Sequence, residues 1–154
     1  MRWCLGLVLL GALAFAPAVR AQDPNAWQAE CRSERPLRTD TCRVVHYSNY
    51  ETNVVLVLFS YIDRELNLLI LGDQEFTQAQ VNIDDNQMYF TLQCGEGYCF
   101  FNGSLAEKMA RNFRRGRGAV IEIGTSSFGV DLIQRLDLSG FETAFAELQH
   151  GRRR

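Results

Sequence analysis

Short apolar runs alternate with turn-forming residues along most of this chain. Residues 27–31 and 41–47 each read as a strand. In the second, Cys42, Val44 and His46 fall on one face and Val45 and Tyr47 on the other. Residues 53–61 contain Val54-Val55-Leu56-Val57-Leu58-Phe59, a continuous run suited to a strand buried on both faces. A buried helix competes for that segment, but its β-branched content and the turn-like Asp63-Arg64-Glu65 after it favour a strand. Residues 66–71 form another strand, stopped by Gly72-Asp73. Residues 80–83 and 87–94 flank Asp84-Asp85-Asn86, which reads as a hairpin turn. In the later of these strands Met88, Phe90 and Leu92 share a face, and Tyr89, Thr91 and Gln93 share the other. Residues 98–102, 119–123 and 130–138 complete the strands.

Two segments switch to helical spacing. Ser104 followed by Glu107 has the form of a capping box, and Leu105, Met109 and Phe113 then recur on one face. Ser139 followed by Glu142 repeats the device ahead of Phe141, Ala144, Phe145 and Leu148. Gly116 and Gly151 are suitable stops. The expected fold is therefore mainly β: an antiparallel β-sandwich or open barrel with two short α-helices.

The first 21 residues have a different character. Arg2 precedes an uncharged apolar run, and Val19-Arg20-Ala21 places small residues where a signal peptidase reads. Residues 1–21 are expected to be a signal peptide, cleaved before Gln22, and residues 22–154 a single domain. The apolar run is shorter than the roughly 20 residues a bilayer span needs. Loss of Arg2 and Arg20 leaves 14 basic residues against 18 acidic ones, a formal charge of −4. That balance argues against a general nucleic-acid binder. Cys4 leaves with the signal, so Cys31, Cys42, Cys94 and Cys99 remain. An even set behind a secretion signal reads as a disulfide framework. Of the three connectivities, Cys31–Cys42 and Cys94–Cys99 are favoured, because each closes a short loop between strands. Zinc fits poorly across the ten residues that separate Cys31 from Cys42, and there is no C-x-x-C redox pair.

Catalytic signatures are sparse. His46 sits mid-strand and His150 near the C-terminus, with no Gly-x-Ser-x-Gly elbow, His-Glu-x-x-His helix or phosphate-cradling glycine loop. Asp84-Asp85-Asn86 lacks the further oxygen ligands of a calcium loop and reads as a turn. Asp63 and Glu65 have the spacing to share a strand face, but a solvated hairpin tip is the simpler reading. Asn102-Gly103-Ser104 matches a glycosylation sequon. Arg111, Arg114, Arg115 and Arg117 gather at the end of the first helix, where they complement its negative terminus. They are also the candidate contact for lipopolysaccharide phosphates or an acidic partner. Arg152-Arg153-Arg154 forms a basic tail.

Trp27 ahead of Cys31, the second cysteine Cys42, the Cys94/Cys99 segment and the closing Leu138-Ser139-Gly140-Phe141-Glu142-Thr143-Ala144 together resemble the invasion-associated locus B family of proteobacterial envelope proteins. The resemblance spans nearly the whole mature chain. It implies an exported β-rich protein linked in some pathogens to host-cell entry, and it implies no established reaction. The expectation is a non-enzymatic periplasmic, secreted or cell-envelope protein that binds an envelope or host macromolecule. Peripheral contact with the outer membrane is compatible with it; a cofactor, a metal and nucleic acid are not expected. A small-ligand-binding sandwich or barrel is the alternative. A hydrolase using His46 and a neighbouring acid is a more distant one.

Overall fold

The computed structural model describes residues 26–34, 39–50, 53–125 and 132–151. Residues 1–21, where a signal peptide is expected, the loop around Pro36 and the tail from 152 to 154 lie outside the described residues. Eight strands form one antiparallel sheet: β1 (Gln28–Glu34), β2 (Thr39–Tyr50), β3 (Asn53–Ile62), β4 (Glu65–Ile83), β5 (Gln87–Thr91), β6 (Cys94–Asn102), β7 (Gly118–Thr125) and β8 (Leu132–Asp137). Helix α1 (Gly103–Phe113) follows β6, and α2 (Phe141–Gly151) follows β8. The sheet runs β1-β2-β3-β4-β7-β8 and stays open rather than closing as a barrel.

Strand β4 is the spine. Its first half lies between β3 and β6, with Leu69 opposite both Leu58 and Phe100. Its second half lies between β5 and β7, with Val81 opposite both Tyr89 and Ile121. Gly72-Asp73 does not end the strand as expected. The register shifts between Leu71 and Glu75 against β6, and between Phe76 and Gln78 against β7. A glycine-bearing bulge bends a strand and rephases its faces without terminating it. Leu66, Leu68 and Ile70 are buried before the irregularities, and Ala79, Val81 and Ile83 after them. Gly97 meets this bend with φ +75, and any Cβ there would lie 2.8 Å from the Gly72 carbonyl oxygen. Glycine is required by both the backbone angle and the space.

Both expected disulfides are formed. Cys31 and Cys42 sit directly opposite on β1 and β2 and are bridged. Cys94 and Cys99 close a five-residue excursion, across which the Phe100 N–H donates to the Gln93 carbonyl at 3.0 Å. Short loops of this kind contribute about 2–3 kcal/mol each.

One face of the sheet carries the core, and the helices cover it. Ala106, Met109, Ala110 and Phe113 of α1 are buried at helical spacing, as are Phe141, Ala144, Phe145 and Leu148 of α2. At their meeting point five aromatic rings interlock. The Phe141 ring lies 4.9 Å from Trp27, 5.2 Å from Phe59, 5.3 Å from Phe113 and 5.4 Å from Phe145, centroid to centroid. Trp27 Nε1 donates to the Asp137 carbonyl at 2.8 Å, so the polar atom of this ring is satisfied.

Neither expected capping box forms. Asn102 remains opposite Asn67 on β4, so the chain enters α1 at Gly103, one residue ahead of Ser104. Glu107 then lies near Arg111 at 3.9 Å, one turn along the helix. Before α2, the Ser139 N–H donates to Asp137 Oδ1 at 2.8 Å, and Glu142 is drawn to Arg114. Phe141→Ala removes the ring shared by both helices, β3 and Trp27 just ahead of β1. It is expected to lower unfolding free energy by about 3–5 kcal/mol in urea titrations monitored by tryptophan fluorescence.

Candidate functional site

The cationic end of α1 is where the sequence expectation acquires a shape. Helix α1 stops at Phe113, and the Gly116 N–H then donates to the Asn112 carbonyl at 2.8 Å. A Cβ on Gly116 would lie 3.0 Å from Asn112 O, Ile83 Cγ2 and Leu138 Cδ1 alike. Glycine lets the chain turn tightly here against β4 and the lead into α2 without pushing these three atoms aside. The turn sets Arg111, Arg114 and Arg115 around a cleft of about 210 Å³, with Glu142 from the first turn of α2 on the opposite wall.

The charges in this cleft are unequal. The Arg114 guanidinium forks onto Glu142, with Nη2 at 2.7 Å from Oε1 and Nε on Oε2. The Arg114 hydrogen bond holds the Glu142 carboxyl below its ordinary pKa, and the same bond raises that of Arg114. The pair bridges the C-terminal end of α1 and the N-terminal end of α2. Both helix dipoles favour this placement, a cation at the first and an anion at the second. Arg111 and Arg115 remain exposed beside the pair. Three guanidiniums stand against Glu142 and, 3.9 Å from Arg111, Glu107, leaving an excess of one positive charge. Guanidinium forks suit phosphate and carboxylate oxygens.

Arg117 does not join them. Its backbone N–H donates to Asp84 Oδ1 and Oδ2 at 3.0 and 3.1 Å, and the Gly118 N–H donates to Oδ1 at 2.9 Å. The four-arginine cluster read from sequence therefore divides into three residues at the cleft and one at the β4–β5 turn. The turn expected at Asp84-Asp85-Asn86 is formed there, with the Asn86 N–H donating to the Ile83 carbonyl. The Asp84 carboxylate is occupied as a backbone clasp, and no cluster of potential metal ligands occurs among the described residues.

The other sequence candidates separate similarly. Asp63 and Arg64 form the β3–β4 turn with φ 50 and 71, as expected of a hairpin tip. His46 is only 3% exposed and stands 5.0 Å from Trp27, ring to ring. Asp137 is its electrostatic neighbour. Asp137 is held below the ordinary carboxylate pKa first by the Ser139 N–H, then by the Ser139 hydroxyl, with His46 a smaller contribution. The carboxylate thus stands beside the serine hydroxyl, where a nucleophilic triad would place the imidazole.

Two features escaped sequence reasoning. Glu142 has the spacing of a capping residue, yet it completes the arginine cleft. An open groove of about 440 Å³ also runs between the start of β1 and α2, from Trp27 and Ala29 to Gly140, Thr143 and Glu147. Its walls come from segments more than a hundred residues apart, a juxtaposition that periodicity does not carry. No protein family, curated protein or solved structure matches this chain.

Asp84 provides a pH test of the clasp. The N–H groups of Gly118 and Arg117 lower its pKa from the ordinary 3.8. Its stabilisation is therefore complete above 3.8 and is lost as pH falls through the lower folded-state value. Asp84→Asn is expected to melt below the wild type at neutral pH, with the gap narrowing in acid. Thermal melts of both proteins across pH check this; a gap that widens in acid would contradict the clasp.

Proposed function

We propose that this chain is an exported, envelope-associated, non-enzymatic protein of the invasion-associated locus B type, and that it binds an anionic macromolecular partner at the arginine cleft. The convergence of Arg111, Arg114 and Arg115 beside Glu142 carries this reading. The two disulfides support an oxidising, non-cytoplasmic location. The periplasm or the outer surface of the envelope is the compartment that fits both the disulfides and the leader-like first 21 residues. No helix among the described residues is long and apolar enough to cross a membrane.

Arg114 is committed to Glu142, whereas Arg111 has only the looser, solvent-exposed contact with Glu107 at 3.9 Å, so Arg111 and Arg115 form the recognition pair. Attraction between exposed charges weakens as salt shortens the Debye length. Wild-type protein used as bait in envelope extracts is expected to retain a partner at low salt and release it at high salt. Arg111→Ala/Arg115→Ala should weaken retention by about tenfold, as expected for loss of two charge-assisted contacts, while leaving the melting temperature nearly unchanged. Equal retention by both proteins would refute the reading.

The groove beside Trp27 favours a second reading, a small-ligand binder. A thermal-shift screen against sugars, lipids and metabolites separates the two. Under that reading a ligand raises the melting temperature, and substitutions at Arg111 and Arg115 leave the shift intact.

A further inference from the structure

Strand β5 has β4 on one side and no strand on the other among the described residues. The sheet's outer strands β1 and β8 carry charges, Glu30 in one, Arg135 and Asp137 in the other. The stretch Gln87-Met88-Tyr89-Phe90-Thr91-Leu92-Gln93 has no charge, no proline and no glycine. Those are the residues that ordinarily keep an open edge from pairing with another chain.

The two faces of β5 have different fates. Tyr89 and Thr91 serve the fold: Asn112 of α1 contacts the Tyr89 hydroxyl, and Thr91 Oγ1 donates to the Phe100 carbonyl at 3.0 Å. Met88, Phe90 and Leu92 face outward at 66%, 49% and 69% exposure. A row of three large apolar side chains on an open edge is unusual for a surface with no partner.

The backbone has a direction too. The Ile83 carbonyl accepts from the Asn86 N–H, toward β5, whereas the Asp84 N–H donates to the Gly118 carbonyl, toward β7. Because backbone groups alternate sides along a strand, Gln87, Tyr89 and Thr91 direct theirs to β4. The N–H and C=O of Met88 and Phe90 therefore point to the open edge.

We infer that β5 pairs antiparallel with β5 of a second copy, about a two-fold axis through Tyr89. That axis sets Met88 opposite Phe90 of the second copy, and Phe90 opposite its Met88. Each such pair exchanges both backbone hydrogen bonds. Tyr89 faces Tyr89, and Gln87 faces Thr91, so every cross-strand pair matches apolar with apolar or polar with polar. A methionine beside an aromatic ring adds a favourable sulfur contact. No charge is brought against a like charge along the pairing edge. The contact is isologous, so it closes at two copies. The anchored end of the segment sets its limit: Phe100 N–H occupies the Gln93 carbonyl and Cys94 N–H the Leu92 carbonyl, which leaves Gln87–Thr91 as the pairing length.

Sedimentation velocity of the mature, disulfide-intact protein over a range of concentrations tests this directly. The wild type is expected to show a concentration-dependent dimer. Met88→Lys/Phe90→Lys places lysine opposite lysine and should raise the dimer dissociation constant by about tenfold or more. Both positions are exposed, so the variant should keep the wild-type circular dichroism spectrum. Mixing it with Met88→Glu/Phe90→Glu should restore association as a heterodimer, which neither variant forms alone. Arg111→Ala/Arg115→Ala should dimerise as the wild type does, separating this edge from the arginine cleft. A monomeric wild type at every concentration overturns the inference, whatever the strand captures from an extract. So does a lysine variant that dimerises normally, or a mixture that stays monomeric.

Discussion

The fold depends on one packing event: the rings of Trp27, Phe59, Phe113, Phe141 and Phe145 closing on each other. They come from the approach to β1, from β3 and from both helices. The open sheet has one face to bury, and two eleven-residue helices must cover it. Helices this short are marginal alone and take their stability from the apolar face they dock. Edge-to-face ring contacts add direction to that burial. Phe113 fixes where α1 ends, and Phe141 fixes where α2 begins. The arginine cleft is thus a surface consequence of a buried contact: the rings bring Arg114 and Glu142 within reach of each other.

Much of this architecture was legible in the chain. Alternation located the strands, the Asp84-Asp85-Asn86 turn joined the right pair, and the spacing of the four cysteines indicated their partners. The continuity of β4 was not legible, because glycine followed by aspartate has the same chemistry in a turn as in a bulge. Neighbouring strands hold the bulge in line, and they are distant in sequence. The start of α1 was misplaced for a similar reason. Local capping chemistry pointed to Ser104, while pairing with β4 held the preceding residues extended up to Asn102.

The site was legible in composition and not in arrangement. Four arginines within seven residues announce a positive patch, but the turn at Gly116 sends Arg117 to Asp84 and keeps the other three together. Glu142 could be found only by knowing that α2 begins where α1 ends. The β5 row shows the converse. By hydropathy Met88, Phe90 and Leu92 belong inside, yet Tyr89 and Thr91 take the inner side because they have hydrogen-bond partners there. Alternation reveals that two faces differ; the partners offered on each side decide which is buried.

The hydrogen bond from Trp27 to the Asp137 carbonyl joins residues 110 positions apart. A chain that emerges from its N-terminus, whether from a ribosome or a membrane pore, presents Trp27 long before that acceptor or Phe141 exists. Until the last helix appears, the inner face of β1, β2 and β3 has only Phe113 of α1 as helical cover, while Cys31 and Cys42 already lie close enough in sequence to meet. Oxidation can therefore precede burial. A Cys31–Cys42 bond formed that early would hold the first hairpin in register while its cover is incomplete, a task in time as well as in stability.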